Sequence, residues 1–255
     1  MKKVLLFFSG GNDSTLSACI LASQGYDVNL ITFDNGCEEG IENVKNRATI
    51  LEKIFSESST GKVHNLGVFQ SVSEFVKMRR QSINIPLSEI IEKYGDLNQN
   101  QINCLNCRCG MYVIGMVVAR ELDVDCIAEG ARKTQLFAIE QEEILERYAA
   151  LLKKYNIELL LPVYDYANDG DVDSHLWDYS SQFYDKICEN TSHYEAQCWL
   201  GSSMERPLTE TEIEAYGRFY DDLLEDKMIE DINNYPTYPI VEQLKKPIYS
   251  KIKFR

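Results

Sequence analysis

The sequence predicts an α/β protein built on a doubly wound parallel sheet, with a helical C-terminal extension. Two observations carry this. Short apolar runs suited to buried strands alternate with amphipathic helical segments at the spacing of βα units. The first run, Val4-Leu5-Leu6-Phe7-Phe8, passes through a glycine turn straight into the helical pattern Leu16 to Ala22. At 255 residues the chain suits one α/β domain of about 200 residues with an appendage. Residues 1–165 are expected to form that domain and residues 166–255 a mostly helical extension.

The elements follow in order. Val28 to Asp34 reads as a second buried strand ending in an acid, and Glu39 to Phe55 as a helix with Ile41, Val44, Ala48, Leu51 and Phe55 on one face. Lys62 to Gly67 reads as a third strand. Ser71 to Ile83 reads as a helix in which Ser71 and Glu74 have the spacing of a capping box. Periodicity weakens between Asn84 and Asn103, which predicts a mobile loop or a surface insertion. Then come a helix over Met111 to Leu122, a strand over Cys126 to Gly130, a helix over Glu140 to Tyr155 and a strand over Ile157 to Tyr164 that completes the sheet. Asp165 to His175 is expected to be an acidic loop, and Thr209 to about Ile232 one acidic helix capped by Thr209 and Glu212.

The chemistry concentrates after the first strand, in Ser9-Gly10-Gly11-Asn12-Asp13-Ser14-Thr15. Gly10 and Gly11 allow a sharp turn and close approach to a ligand. Ser9, Ser14 and Thr15 add hydroxyls beside the free N–H groups of a helix start, which makes an anion cradle best suited to phosphate. The loop has neither the lysine and spacing of a Walker A motif nor the Gly-x-Gly-x-x-Gly of a dinucleotide fold. It matches Ser-Gly-Gly-x-Asp-Ser, and the chain thereby resembles the PP-loop superfamily of N-type ATP pyrophosphatases. The resemblance implies a Rossmann-like HUP/PP-loop fold with ATP held by Ser9, Gly10, Gly11, Asp13, Ser14 and Thr15, and magnesium on Asp13. It also implies attachment of AMP to a substrate oxygen with release of pyrophosphate. By the same resemblance Thr32, Phe33 and Asp34 contact adenine and ribose, although Asp34 before Asn35-Gly36 reads equally well as a turn former.

The order Cys104-Leu105-Asn106-Cys107, helix, strand, Gly130-Ala131-Arg132-Lys133 resembles the centre of the tRNA-thiolating PP-loop enzymes, the 2-thiocytidine and 2-thiouridine synthetases. By that match Gly130 lets the backbone approach the nucleotide, and Arg132 and Lys133 meet phosphate charge. The pattern departs from the commoner Gly-His at the strand end, and ordinary surface cations are the alternative for both residues. A Cys-x-x-Cys at a helix start puts both sulfurs on one side, where the helix dipole and Arg108 favour thiolate. As in the 2-thiocytidine synthetases, Cys104 and Cys107 with a distant third cysteine would hold a [4Fe–4S] cluster whose fourth iron is open to sulfide. Cys198 is the distant cysteine that fits best. Zinc, with His193 as a further ligand, and metal-free persulfide chemistry at the pair are the alternatives. Cys19 and Cys126 lie in apolar runs and read as core; Cys37, just after the second strand, could face the site as any loop residue could, and Cys188 carries no assignment. His64, within a strand, reads as a hydrogen-bonded structural residue.

Forty acidic against 26 basic residues give a net charge of −14, which repels nucleic acid at long range. Lys245, Lys246, Lys251, Lys253 and Arg255 are the local exception. No signal peptide is recognisable and no run approaches the ~20 apolar residues of a membrane span, so a cytoplasmic protein with no membrane partner is expected. Eight cysteines are then expected to be reduced. Together these features predict an AMP-forming ATP pyrophosphatase that works as a sulfurtransferase, with Cys104, Cys107, Cys198 and Asp13 as its catalytic residues. The expected partners are a sulfur donor and an acceptor, either tRNA or, slightly favoured by the charge, a small molecule; a homodimer stands as an open expectation. One rival is an ammonia-using ligase of the 7-cyano-7-deazaguanine type, which carries four zinc cysteines where this chain has only Cys188 and Cys198. The other is a nucleotide sensor without chemistry, which would need the loop and not the thiols.

Overall fold

The structure, a computed structural model, describes residues 2–36, 40–95, 97–180, 206–236 and 239–244. Strands β1 (Lys3–Phe7), β2 (Asp27–Asp34), β3 (Lys62–Gln70), β4 (Cys126–Glu129) and β5 (Glu158–Leu160) pair in parallel in the order β3-β2-β1-β4-β5. This is the doubly wound sheet that the alternating sequence pattern predicts. Successive side chains of β1 point to opposite faces, and both faces are buried, as a parallel sheet requires. Val4, Leu6 and Phe8 join one apolar cluster, Leu5 and Phe7 the other.

Helices α1 (Asn12–Ser23), α2 (Ile41–Ser56) and α7 (Asp169–Tyr179) cover the first face. The second face is covered by α3 (Val72–Ile83), α4 (Leu87–Tyr94), α5 (Gln99–Leu122), α6 (Glu142–Lys153), α8 (Glu210–Leu223), α9 (Glu225–Asn234) and α10 (Ile240–Leu244). From the extension, Tyr216, Phe219 and Tyr220 of α8 and Met228 and Ile232 of α9 are buried in that same cluster. Each such side chain removed from water is worth about 2 kcal/mol. The strand order reverses at β1, with β2 on one side and β4 on the other. The crevice beyond the carboxyl ends of β1 and β4 is therefore the place where a doubly wound sheet binds ligands.

Several local expectations are corrected. The weakly periodic stretch from Asn84 to Asn103 is not a loop throughout: it holds α4 and the start of α5. Ile90, Tyr94 and Ile102 are buried, and the Asn98 side chain caps α5 by accepting from the N–H groups of Asn100 and Gln101. As a result Cys104 and Cys107 lie inside a 24-residue helix, beyond its first turn, where the dipole effect has faded. The acidic stretch after Asp165 contains α7, capped by Asn168, with Val172 and Leu176 inward. Ser71 makes no side-chain cap and its Oγ is buried without a partner; Glu74 bonds Ser73 and Lys77 instead. The acidic C-terminal helix breaks at Leu224 into α8 and α9, although the capping box of Thr209 and Glu212 forms as expected. Finally, α5 is by length and composition apolar enough to cross a membrane, but 78% of that window is buried inside this fold, so it serves as the core helix.

Candidate functional site

The loop after β1 turns at Gly10, whose φ of 83° favours glycine, and Gly11 then stands at the N-cap of α1 without a side-chain cap. The first N–H groups of α1 are thus left for an anion, as a phosphate cradle needs. Internal bonds hold the turn. Ser9 Oγ accepts from the Gly11 N–H at 3.2 Å and lies 3.2 Å from Ser14 Oγ, while Ser14 and Thr15 donate to the Gly11 carbonyl at 3.1 and 2.8 Å. A residue not singled out from the sequence completes it. Buried Arg47, from α2, donates to the Gly10 carbonyl at 2.6 Å and to Asn12 Oδ1 at 2.9 Å, clamping the outer side of the loop.

A cavity of about 360 Å³ opens at this loop. Its wall includes Ser9, Gly11, Asp13 and Ser14, then Phe33 from the end of β2, Gly130 from the end of β4, and Cys104 and Cys107 from α5. Gly130 is required there by space: a Cβ on it would stand 2.7 Å from the Ser14 nitrogen and 2.9 Å from the Asp13 carbonyl carbon. Spacing of three places both cysteines on one side of α5. The side chain of Asn35 also donates to Cys107 Sγ at 2.8 Å.

Other expected site residues stand off the cavity wall. Thr15 is buried behind the loop, and Thr32 donates to the Phe8 carbonyl at 2.9 Å inside the sheet. Asp34 accepts from the Gly36 N–H at 3.0 Å and from Gln70, in the manner of a turn former. Lys133 pairs with Asp165 at 2.8 Å and is exposed. Arg132 is buried and ion-paired with Asp13, Nε to Oδ1 at 3.0 Å, and with Asp169. Cys198, Cys37, Cys188, His193 and the basic run from Lys245 to Arg255 lie outside the described residues. His64 bonds Asp27 at 2.6 Å, as the structural reading expected. Cys19 and Cys126 are core, and burial pushes both thiols up, Cys126 to about 11.

Beyond the cysteines the wall is charged. Arg108 pairs with Glu129 at the end of β4, which also accepts from Tyr112 at 2.9 Å. Burial works against the Arg108 cation, but Glu129, with Tyr112 and Glu140, outweighs it and holds the guanidinium charged. Glu140 lines the cavity with Oε2 buried and unpartnered. Burial pushes its carboxyl up to about 8; Arg108 opposes the shift and Glu129 adds to it. These residues carry no sequence motif, and only the fold collects them.

The donor sets test the implied groups. One loop carboxylate, Asp13, beside a phosphate cradle suits magnesium, which takes one or two carboxylates plus substrate phosphates and keeps waters. Among the described residues no trio of His, Cys, Asp and Glu is gathered to hold a metal, so Cys104 and Cys107 are one thiol short of the expected cluster set.

Residues 1–76 match a family described only as of unknown function, DUF7411. Over 149 residues the chain is 26% identical to tRNA-specific 2-thiouridylase MnmA 2 of Fusobacterium nucleatum, covering 58% of this chain and 38% of that one. A 4-thiouridine synthetase, solved with RNA and bound ATP, superposes at a TM-score of 0.55 and 15% identity over 95% of this chain and 52% of its own. A predicted subunit of tRNA methyltransferase from Methanocaldococcus jannaschii matches at 0.43 and 20% identity over 70% of this chain and 76% of its own, a score that carries no argument. The chain spans about half or less of the length of the thiolation enzymes it resembles. The parallel sheet and the superposition on the 4-thiouridine synthetase give the chain the doubly wound α/β class, with the Ser-Gly-Gly-x-Asp-Ser loop at the carboxyl end of β1.

Proposed function

We propose that the chain is an ATP-dependent, AMP-forming sulfurtransferase. One observation carries the reading: the PP-loop and the pair Cys104 and Cys107 line the same cavity. Sulfur must reach a carbon bonded to the oxygen that carries AMP, so the sulfur-bearing group has to stand beside the α-phosphate. In this reading the N–H groups at the start of α1 hold the phosphates, and Phe33 packs against the nucleoside. Magnesium on Asp13 would supply neutralisation of the phosphate charge. The acceptor oxygen attacks the α-phosphorus and pyrophosphate leaves, which converts a poor oxygen leaving group into AMP.

The two thiols suit a persulfide route. Asn35 donates to Cys107, which marks Cys107 as the sulfur carrier. Its terminal sulfur attacks the adenylated carbon and AMP departs. Cys104 thiolate then attacks Cys107 Sγ, and the S–S bond breaks as the thiolated product is released. The resulting disulfide is reduced by a thiol before a sulfur donor reloads Cys107. A cluster with Cys198 as third ligand is the rival, and iron and sulfide assays on anaerobically prepared protein separate the two. The sequence relative named above is tRNA-specific and the 4-thiouridine synthetase was solved with RNA, so unfractionated tRNA is the first acceptor to assay, with small carbonyl metabolites beside it.

The test uses ATP labelled at the α-phosphate, with acceptor, a sulfane-sulfur donor such as a small-molecule persulfide, and a thiol reductant. The expected products are AMP and pyrophosphate, with sulfur in the acceptor. Release of ADP and phosphate would sink the pyrophosphatase reading. Full sulfur transfer by the Cys107→Ser variant would end the role of the pair.

A further inference from the structure

Asp13 is the loop carboxylate on which the proposed metal site rests, and it is not alone. Arg132 reaches it from just beyond β4, with Nε 3.0 Å from Oδ1 and a side chain only 5% exposed. The same guanidinium also pairs with Asp169, which opens α7 and is 86% exposed. A second contact ties α7 to the loop: Asn12 Nδ2 donates to Asp173 Oδ1 at 2.6 Å. Arg132 therefore sits in a fork between one carboxylate inside the site and one at its rim.

The Asp13 carboxylate stands on the cavity wall with the buried Arg132 guanidinium as its partner cation. A divalent ion on the same oxygen would compete with the guanidinium at 3.0 Å, because the two cations repel. Nucleotide resolves the conflict. It brings phosphate oxygens to the loop N–H groups next to Asp13, and phosphate is a better bidentate partner for arginine than a single carboxylate oxygen.

We propose that Arg132 is an exchangeable counterion of the PP-loop: metal-bound nucleotide takes Asp13 from it, and Asp169 is the positioning residue that keeps the released guanidinium at the loop to meet phosphate. The exchange balances charge, since Asp13 passes from arginine to metal while arginine passes from Asp13 to phosphate. This rests on the nucleotide reading above and deepens it. It also explains why Asp169, exposed and outside the cavity wall, sits where it does.

The inference demands effects of opposite sign from one substitution. The probes are Mn2+ alone, followed by electron paramagnetic resonance, and Mn2+ with the α,β-methylene analogue of ATP, followed by titration calorimetry. Arg132→Met should bind Mn2+ alone about threefold more tightly or better, since its competitor is gone, and the metal–analogue complex about tenfold more weakly, since a charge-assisted bond is lost. Asp169→Asn, at an exposed position that folding tolerates, should weaken the analogue several-fold and leave Mn2+ alone unchanged.

If Arg132→Met weakens both probes alike, Arg132 merely supports the loop and the proposal is overturned. It is equally overturned if both probes are unchanged, or if Asp169→Asn leaves the analogue's affinity intact. Wild-type protein that binds no analogue would refute the nucleotide reading itself, and the exchange falls with it. Wild-type binding with matched affinities in all variants refutes the exchange alone.

Discussion

Glu140→Gln isolates the buried charge of the cavity wall. The Glu140 carboxyl is pushed from the ordinary 4.5 to about 8, first by burial, with Glu129 and Asp13 adding and Arg108 and Arg132 opposing. The folded protein thus keeps a proton that the unfolded chain gives up, so this carboxyl favours the fold in acid and that preference is lost as pH rises. Below 4.5 both states hold the proton; from there to about 8 each pH unit removes about 1.4 kcal/mol of stability; above that the loss is complete. Glutamine cannot ionise, so the variant loses this slope while other groups titrate alike in both proteins and cancel in the comparison. Between about pH 5 and about pH 7 the stability of Glu140→Gln should therefore gain on wild type by about 2.5 kcal/mol. Urea unfolding at a series of pH values, followed by far-UV circular dichroism, measures that difference. Its slope matters and its offset does not, because the offset also contains the hydrogen bonds of the new amide. A flat difference over this range would show that the fold does not raise the Glu140 carboxyl, because Arg108 and Arg132 offset its burial.

Three further outcomes follow from close contacts and from the site. Gly130→Ala would drive a methyl group into the Ser14 and Asp13 backbone, which cannot swing aside as a side chain could; analogue binding should fall about tenfold or more while the melting transition remains cooperative. In Gly115→Ala the new Cβ would stand 2.6 Å from Phe7 Cζ, whose ring is already packed edge-on to Phe33 and Tyr112. Overpacking of about 1–3 kcal/mol should outweigh the helix gain of about 1 kcal/mol, so thermal stability should drop, and an unchanged or raised midpoint would contradict it. Cys104→Ser and Cys107→Ser should each stop sulfur transfer yet leave nucleotide affinity within about twofold, roughly 0.4 kcal/mol; a large loss of binding in either would mean that the thiols act on the nucleotide.

Local signals determined a good part of this protein. The strand, glycine turn and helix start from Val4 to Ala22 make this loop legible because its free N–H groups belong to neighbouring backbone units, whereas its clamp, Arg47 of α2, comes from a distant segment. Alternating runs such as Val28 to Asp34 fix the parallel sheet, since only a strand buried on both faces reads as continuously apolar. Tertiary structure decided the rest. The interior position of the cysteines in α5 depends on Asn98 as a cap and on Ile90, Tyr94 and Ile102 finding a core, and a single stretch of chain shows neither. Thr32 carried the same family expectation as Phe33, yet one bonds the Phe8 carbonyl inside the sheet and the other faces the cavity, because side chains alternate along β2. The Arg108 guanidinium and the Glu140 carboxyl acquire their states only when separate segments of the chain exclude water around them. Arg132 and Asp169 meet only because β4 and α7 are brought to the same loop, a contact across 37 residues that pair chemistry favours and sequence spacing does not encode.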